Sequence, residues 1–216
     1  MSKFLVLILL FICALPVQAN EQDLFNLLDS LKIKTVSLSF DDGPNPTYTP
    51  KILSILKENN IKANFFLVGS MVEKYPYLVK QEVAEGHDLG GHSMTHKELT
   101  KIPLNDARRE ILESMDLVNK YQKTDLFRFP YGSTNKVLDR IVYDNGYRKI
   151  YWDVDTTDWK YTDKKVIYEK FKLRISKSKD HAVILMHDIH PQTVESLKLI
   201  VQYLKDNNIK TEKIHQ

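Results

Sequence analysis

A chain of 216 residues with 43% hydrophobic content can bury one sizeable core without covalent staples. Its only cysteine is Cys13, which excludes an internal disulfide framework and leaves no thiolate chemistry to the rest of the chain. Lysine and arginine exceed aspartate and glutamate by 31 to 28, a formal charge of +3, too slight an excess to mark a nucleic-acid partner.

At the start of the chain Lys3 precedes an unbroken apolar run from Phe4 to Leu15, too short to cross a bilayer with ease. Pro16 and Val17-Gln18-Ala19 follow in the small-residue pattern that signal peptidase cleaves. Residues 1–19 therefore read as a secretory signal, 20–34 as a lead-in and 35–216 as the working domain, with an uncleaved anchor as the alternative. Cys13 lies inside the signal behind Ile12, not behind the small residue that a lipoprotein signal carries. The expectation is an exported monomer, periplasmic or secreted, with no stable membrane anchor after cleavage.

From residue 35 onward short apolar runs alternate with longer amphipathic segments, the rhythm of β-α units around a parallel sheet or barrel. Strands are expected at Thr35–Phe40, Ala63–Val68, His87–Gly90, Leu126–Phe129, Lys149–Asp153 and Ala182–Met186, with a weaker seventh near Ile209–Ile214. Thr49 with Pro50 behind it reads as a helix cap, Asn59-Asn60 as a helix end, and Gly86 and Gly146 as residues just past two others. Helical spacing of apolar residues runs through Asp106–Tyr121 and Thr193–Leu204. The chemically capable residues fall just after the apolar runs, at what would be the C-terminal ends of strands, where α/β barrels build their sites.

Asp41-Asp42-Gly43-Pro44 is on its own a common turn; a cation would let its two adjacent anions coexist. His92 and His96 are spaced so that one helical turn would bring both imidazoles to one face, and Asp42 supplies a third oxygen or nitrogen ligand with no thiolate, a set that suits zinc, cobalt or manganese. Arg128, at the end of another strand, can hold a carboxylate by a forked hydrogen bond. Asp155-Thr156-Thr157-Asp158-Trp159 offers acids beside an aromatic wall. His187 ends a strongly apolar strand, and a buried carboxylate partner would fit it to donate a proton near neutral pH. The basic stretch from Lys164 to Lys179 reads as a solvated helix face.

In chain order, Ser-Phe-Asp-Asp-Gly-Pro (39–44), His-Ser-Met-Thr-His (92–96), Arg-Phe-Pro-Tyr-Gly (128–132), Asp-Thr-Thr-Asp-Trp (155–159) and Leu-Met-His (185–187) resemble the five motifs of the polysaccharide deacetylases of carbohydrate esterase family 4, the NodB homology domain. The resemblance covers about residues 35–210. It implies an α/β fold, a distorted (β/α) barrel of six to seven parallel strands. It also implies Asp41 as general base, His187 as general acid, and Asp42, His92 and His96 as ligands to one divalent metal ion, zinc ahead of cobalt or manganese. By the same resemblance Arg128 orients Asp41 and Asp158 pairs with His187. The Tyr131 backbone N–H helps hold the oxyanion beside Pro130, and Trp159 and Leu185 line the acetyl-methyl pocket. Ser39 stands where threonine is common in that family, outside the ligand set. His87, His181, His190 and His215 match no ligand position, although His190 is close enough in sequence to touch substrate.

The implied function is hydrolysis of N-acetyl groups on an N-acetylglucosamine-containing polysaccharide, with peptidoglycan, chitin oligomers and poly-N-acetylglucosamine as candidates. An O-acetyl esterase of the acetylxylan type, a small-molecule amide hydrolase and a silent carbohydrate-binding domain are the alternatives, because a fold does not fix a function.

Overall fold

The computed structural model describes residues 33–214; the signal segment assigned above, most of the lead-in and His215 lie outside them. Its strands are β1 (Ile33–Asp41), β2 (Asn64–Leu67), β3 (Asp88–Gly91), β4 (Leu126–Phe127), β5 (Arg148–Lys149), β6 (Val154–Asp155), β7 (Asp180–His187) and β8 (Lys210–Thr211). They pair in parallel in the order β5-β4-β3-β2-β1-β7-β6, and β8 lies beside the first half of β1. The curled sheet with helices around it is the distorted α/β barrel that the sequence implies; β8 is the weaker seventh strand expected near Ile209–Ile214, and the one strand beyond seven arises because β5 and β6 stand where a single strand was expected.

The helices are α1 (Thr49–Glu58), α2 (Gly69–Lys74), α3 (Pro76–Ala84), α4 (Leu104–Val118), α5 (Lys136–Asp144), α6 (Lys164–Ile175) and α7 (Pro191–Asp206). Alternation along β1 explains the layering, since successive side chains of a strand point to opposite faces. Val36, Leu38 and Phe40 join the main core with Ile52 and Leu56 of α1 and Leu197, Ile200 and Leu204 of α7. Ser37, Ser39 and Asp41, equally buried, take the other face. The apolar residues of α7 recur at helical spacing, which is what turns one stripe of it onto the sheet. Among the described residues no helix is long and apolar enough to cross a membrane.

Two local expectations need correction. Thr49 is the first residue of α1 and not its cap; its hydroxyl is turned inward to donate to the buried Asp188 carboxylate, and Asn45 Oδ1 accepts the Thr47 and Tyr48 N–H groups instead. The strand expected at Lys149–Asp153 is not one strand. Only Lys149 lies in a strand, β5 beside β4, while the next strand, β6 beside β7, begins just after the run at Val154, and residues 150–153 cross between these opposite margins of the sheet without regular pairing. This stretch closes the barrel. It is tied by Ile150 N–H to the Phe127 carbonyl (2.9 Å) on one side and by Asp153 N–H to the Val183 carbonyl (2.9 Å) on the other.

One core residue conflicts with its surroundings. Glu82 of α3 is fully buried and neither carboxylate oxygen has a hydrogen-bond partner, so burial, with the nearby Asp188 charge adding to it, pushes its pKa well above the ordinary 4.5. A carboxyl whose folded pKa is raised contributes no penalty below its unfolded value and an increasing one as pH climbs toward the folded value. Glu82→Leu should therefore stabilise the fold by about 1–3 kcal/mol near pH 8 and by less near pH 5. Urea denaturation of both proteins at the two pH values checks this; a gap that does not widen with pH would show the carboxyl to be solvated.

Candidate active site and metal centre

The C-terminal ends of the strands deliver the site. Asp41 ends β1 and His187 ends β7, and the two are register partners on neighbouring strands; His92 follows β3, Arg128 follows β4, and Asp155 ends β6. Backbone conformation aims the side chains. Of eight non-glycine residues with positive φ among the described residues, five sit here: Asp42, Ser93, His96, Tyr131 and Thr157. Side chains at such positions cost free energy and persist where the surrounding structure imposes them, commonly at functional sites. At Asp42 (φ 77°) this left-handed turn brings the second carboxylate to the mouth beside the first. Gly43 has no room for a side chain, since a Cβ would lie 2.2 Å from the Asp188 carboxylate beneath the turn. That carboxyl is itself fully buried, and burial with the Asp42 and Asp41 charges pushes its pKa up to about 7 against the Thr49 hydrogen bond.

His92 and His96 do converge, with ring centroids 5.0 Å apart, but through an irregular turn and not a helical one. The His96 N–H donates to Ser93 Oγ (3.0 Å), and the α4 residue Glu110 braces the turn by accepting the Thr95 N–H (2.7 Å) and the Thr95 hydroxyl (2.5 Å). The His92 Nδ1–H donates to the Arg128 carbonyl (2.8 Å), because a carbonyl can only accept. In the neutral ring that leaves a lone pair on Nε2. It faces Asp42 Oδ1 at 3.4 Å, and His96 Nε2 faces the same oxygen at 3.0 Å. Asp42 Oδ1 is buried yet accepts no well-formed hydrogen bond, and the three donor atoms lie within 4.8 Å of one another. Burial works to raise the Asp42 pKa, but the two imidazoles together outweigh it and hold the carboxyl far below its usual range. Converging nitrogen and oxygen lone pairs with one imidazole fixed by a carbonyl fit a divalent cation.

Asp41 is nearly fully buried and Arg128 entirely so. The contact between them is single and not forked: Nη1 donates to Asp41 Oδ1 (2.6 Å) and to Ser39 Oγ (2.9 Å). The remaining donors serve the closing stretch of the barrel, Nε to the Ile150 carbonyl (3.4 Å) and Nη2 to the Tyr151 carbonyl (3.3 Å). The guanidinium lies over the Phe66 ring at 3.9 Å. Asp41 Oδ2, meanwhile, is 3.7 Å from His92 Nε2.

His187 Nδ1 is 2.8 Å from Asp158 Oδ1. Asp158 is fully buried and also accepts the His187 N–H (2.7 Å), the Thr193 hydroxyl (2.6 Å) and the Trp159 N–H (3.0 Å). Burial by itself would lower the His187 pKa; the Asp158 carboxylate, helped by Asp41 and Asp42, overrides it and lifts the ring to about 9.

These groups open on a cavity of about 330 Å³ whose lining includes Asp41, Asp42, His92, His96 and His187, with Trp159 and Leu185 on its wall. Tyr131 (66% exposed) and Trp159 (55%) form an aromatic rim open to a ligand. The Gly132 and Ser133 N–H groups bond back to the Phe129 and Pro130 carbonyls, in the turn that carries Tyr131 at a positive φ. Pro130 is buried and begins the turn that presents Tyr131 but is not part of the wall. Glu110, Thr193 and Trp152 were not expected from the sequence: the first two act from helices remote in the chain, and Trp152, which packs where a Gly132 Cβ would sit at 2.8 Å, lies on the irregular closing stretch.

The polysaccharide deacetylase family model matches residues 29–150. The chain belongs to that family. Among its members, a peptidoglycan-N-acetylglucosamine deacetylase of Listeria monocytogenes is 40% identical over 176 residues, a match that takes in 80% of this chain and 36% of the relative, so the chain spans little more than a third of that protein. The structure of the peptidoglycan deacetylase PdaC from Bacillus subtilis superposes with a TM-score of 0.76 at 32% identity, covering 85% of this chain and 89% of that one. A family 4 carbohydrate esterase pseudoenzyme from Bacillus anthracis superposes as well, with a TM-score of 0.77 at 29% identity over 84% of this chain and 64% of that one. Membership in the polysaccharide deacetylase family thus leaves activity to be argued from the site.

Proposed function

We propose that this polysaccharide deacetylase is an exported, divalent-metal-dependent hydrolase that removes N-acetyl groups from a glycan, peptidoglycan foremost. It acts as a monomer released from its N-terminal signal. The observation that carries this reading is the meeting of Asp42, His92 and His96 within 4.8 Å, with Asp41 held beside them by Arg128 and the His187–Asp158 pair on the neighbouring strand end. A domain that only bound sugar would need neither a separately held carboxylate nor a charged imidazole facing it, which sets this chain apart from a silent member of the fold.

A divalent ion in the three-residue site, zinc ahead of cobalt or manganese, would polarise the acetyl carbonyl and make a water easier to deprotonate. Asp41 takes the proton from the attacking water. One of its oxygens is committed to Arg128, and that hydrogen bond fixes the orientation of the other. The water oxygen bonds to the acetyl carbon, and the Tyr131 N–H donates to the oxygen that gains charge. His187, bound to Asp158 through Nδ1, gives the proton on Nε2 to the sugar nitrogen as the carbon–nitrogen bond breaks. Acetate and a free amine leave. Trp159 and Leu185 enclose the methyl group.

Acetate release from peptidoglycan, N-acetylglucosamine oligomers and acetylxylan tests this, run before chelation, after it and after returning zinc, cobalt or manganese. The expected result is release from the N-acetylated substrates that falls by at least about 100-fold on chelation and returns with the ion. Release from acetylxylan alone would favour the O-acetyl esterase, and no release with ion bound would favour the silent reading.

A further inference from the structure

We propose that a second cavity, next to the reaction cavity, is a subsite for a carboxylate-bearing sugar of the same glycan, so that the protein selects acidic N-acetylated polymers over neutral ones. The inference rests on the deacetylase reading above and deepens it. The second cavity has a volume of about 490 Å³, and Trp152 and Asp155 line both it and the reaction cavity. The two cavities therefore share a wall. Arg174 near the end of α6, Lys177 and Lys179 of the connection after it, and His181 at the start of β7 line it further.

Two lysines of α6 are ion-paired, whereas the two that follow it have no ion pair among the described residues. Lys164 pairs with Glu195 (3.2 Å) and Lys172 with Glu169 (2.8 Å). Lys177 and Lys179, both exposed, have no such partner among the described residues. Arg174 spends Nη1 on the Asp155 carbonyl and, at 3.5 Å, on the Thr157 hydroxyl, and faces no carboxylate within ion-pair distance. The two acids on the same wall are committed to the chain itself. Asp153 accepts the Val183 N–H (2.8 Å). Asp155 accepts the Thr157 N–H (2.7 Å) and, more weakly, the Trp159 indole N–H (3.4 Å). His181 is held by Thr35 (2.9 Å) and Glu212 (3.0 Å). Arg174, Lys177 and Lys179 against Asp153 and Asp155 leave the recess with one net positive charge, three minus two, and because the two acids are turned to donors of the chain itself, the lysines are the groups left to meet an anion. The indole of Trp152 between the two cavities is a flat apolar surface of the kind a sugar ring packs on, so the anion belongs on a sugar and not free in solution.

The test uses the metal-loaded protein and three N-acetylglucosamine oligomers of equal length: one neutral, one with alternate sugars carrying a carboxylate ether, and that same oligomer with its carboxylates converted to amides. Affinity is measured by titration calorimetry and kcat/KM by acetate release, for the native chain and for the double variant Lys177→Gln, Lys179→Gln, whose exposed positions leave the fold intact. The native chain is expected to prefer the carboxylate oligomer over its amide by about tenfold in both measures. The double variant should lose that preference while handling the neutral oligomer as before. Equal affinity for acid and amide in the native chain, or a preference that survives in the double variant, overturns the subsite. Acetate released at equal rates from acid and amide overturns the subsite and spares the deacetylase reading; a lysine-dependent binding preference with no acetate from any oligomer does the reverse.

Discussion

Asp41→Asn is expected to keep its divalent ion and lose turnover by about 10²–10⁴-fold, whereas His92→Ala is expected to lose both ion and turnover. The difference follows from what each side chain faces. Asp41 lies beside the three converging donors and gives one oxygen to Arg128 (2.6 Å). An amide of the same shape can still accept that hydrogen bond but cannot take a proton from water. His92 contributes the ligand whose orientation is fixed from behind by the Arg128 carbonyl (2.8 Å), and alanine removes the donor outright. Metal analysis of the purified variants beside an acetate assay separates the two outcomes. If Asp41→Asn hydrolysed substrate normally, the base would have to be sought elsewhere; if His92→Ala kept a full complement of ion, the ligand set would be wrong.

Asp158→Asn should cost nearly as much in rate and should also move the pH profile. With Asp158 in place the His187 ring is lifted to about 9, so the acid is protonated at neutral pH and activity falls only as pH rises through that value. Without the carboxylate the ring drops toward the ordinary 6.5, since burial is then opposed only by the Asp41 and Asp42 charges. The alkaline limb of kcat/KM should shift down with it, and rate at neutral pH should fall by about 10–100-fold. Stability follows the same linkage. The raised His187 contributes fully below 6.5 and its contribution is lost as pH rises through about 9. The lowered Asp158, in which the hydrogen bonds from His187 and Thr193 outweigh burial, contributes above 3.8 and loses its contribution as pH falls through its lowered value. The stability gap between native chain and variant should therefore be widest between those limits. A profile unchanged in shape, merely scaled down, would mean that Asp158 only supports the fold.

What the sequence made legible was the set of strand ends. The alternating run Val36–Phe40 and the continuous apolar run Ala182–Met186 mark buried parallel strands, and a polar residue directly after each must sit on the rim; Asp41, His92, Arg128 and His187 are placed that way. What it hid was everything depending on backbone irregularity or on contacts remote in the chain. The four-residue spacing of His92 and His96 points to a helical turn, but left-handed Ser93 and His96 make a different turn that meets the same need. The run Lys149–Asp153 is apolar and aromatic enough to read as a strand, yet it bridges two sheet margins. Glu110 and Thr193 carry no local signal, since each does its work on a loop at least 15 residues away. The buried Glu82 falls on a helix whose pattern would accept a surface glutamate, and only packing shows that the position faces inward.

The bridging stretch from Ile150 to Asp153 has a consequence for anyone reshaping this protein. A single guanidinium fastens both that stretch, through the Ile150 and Tyr151 carbonyls, and the Asp41 carboxylate. Lengthening or shortening the span between Arg148 and Asp155 would therefore tilt a reacting group that the alteration never touches. Grafts meant to change which glycan is accepted are better confined to the Tyr131 and Trp159 margins, with the span between keeping its native length.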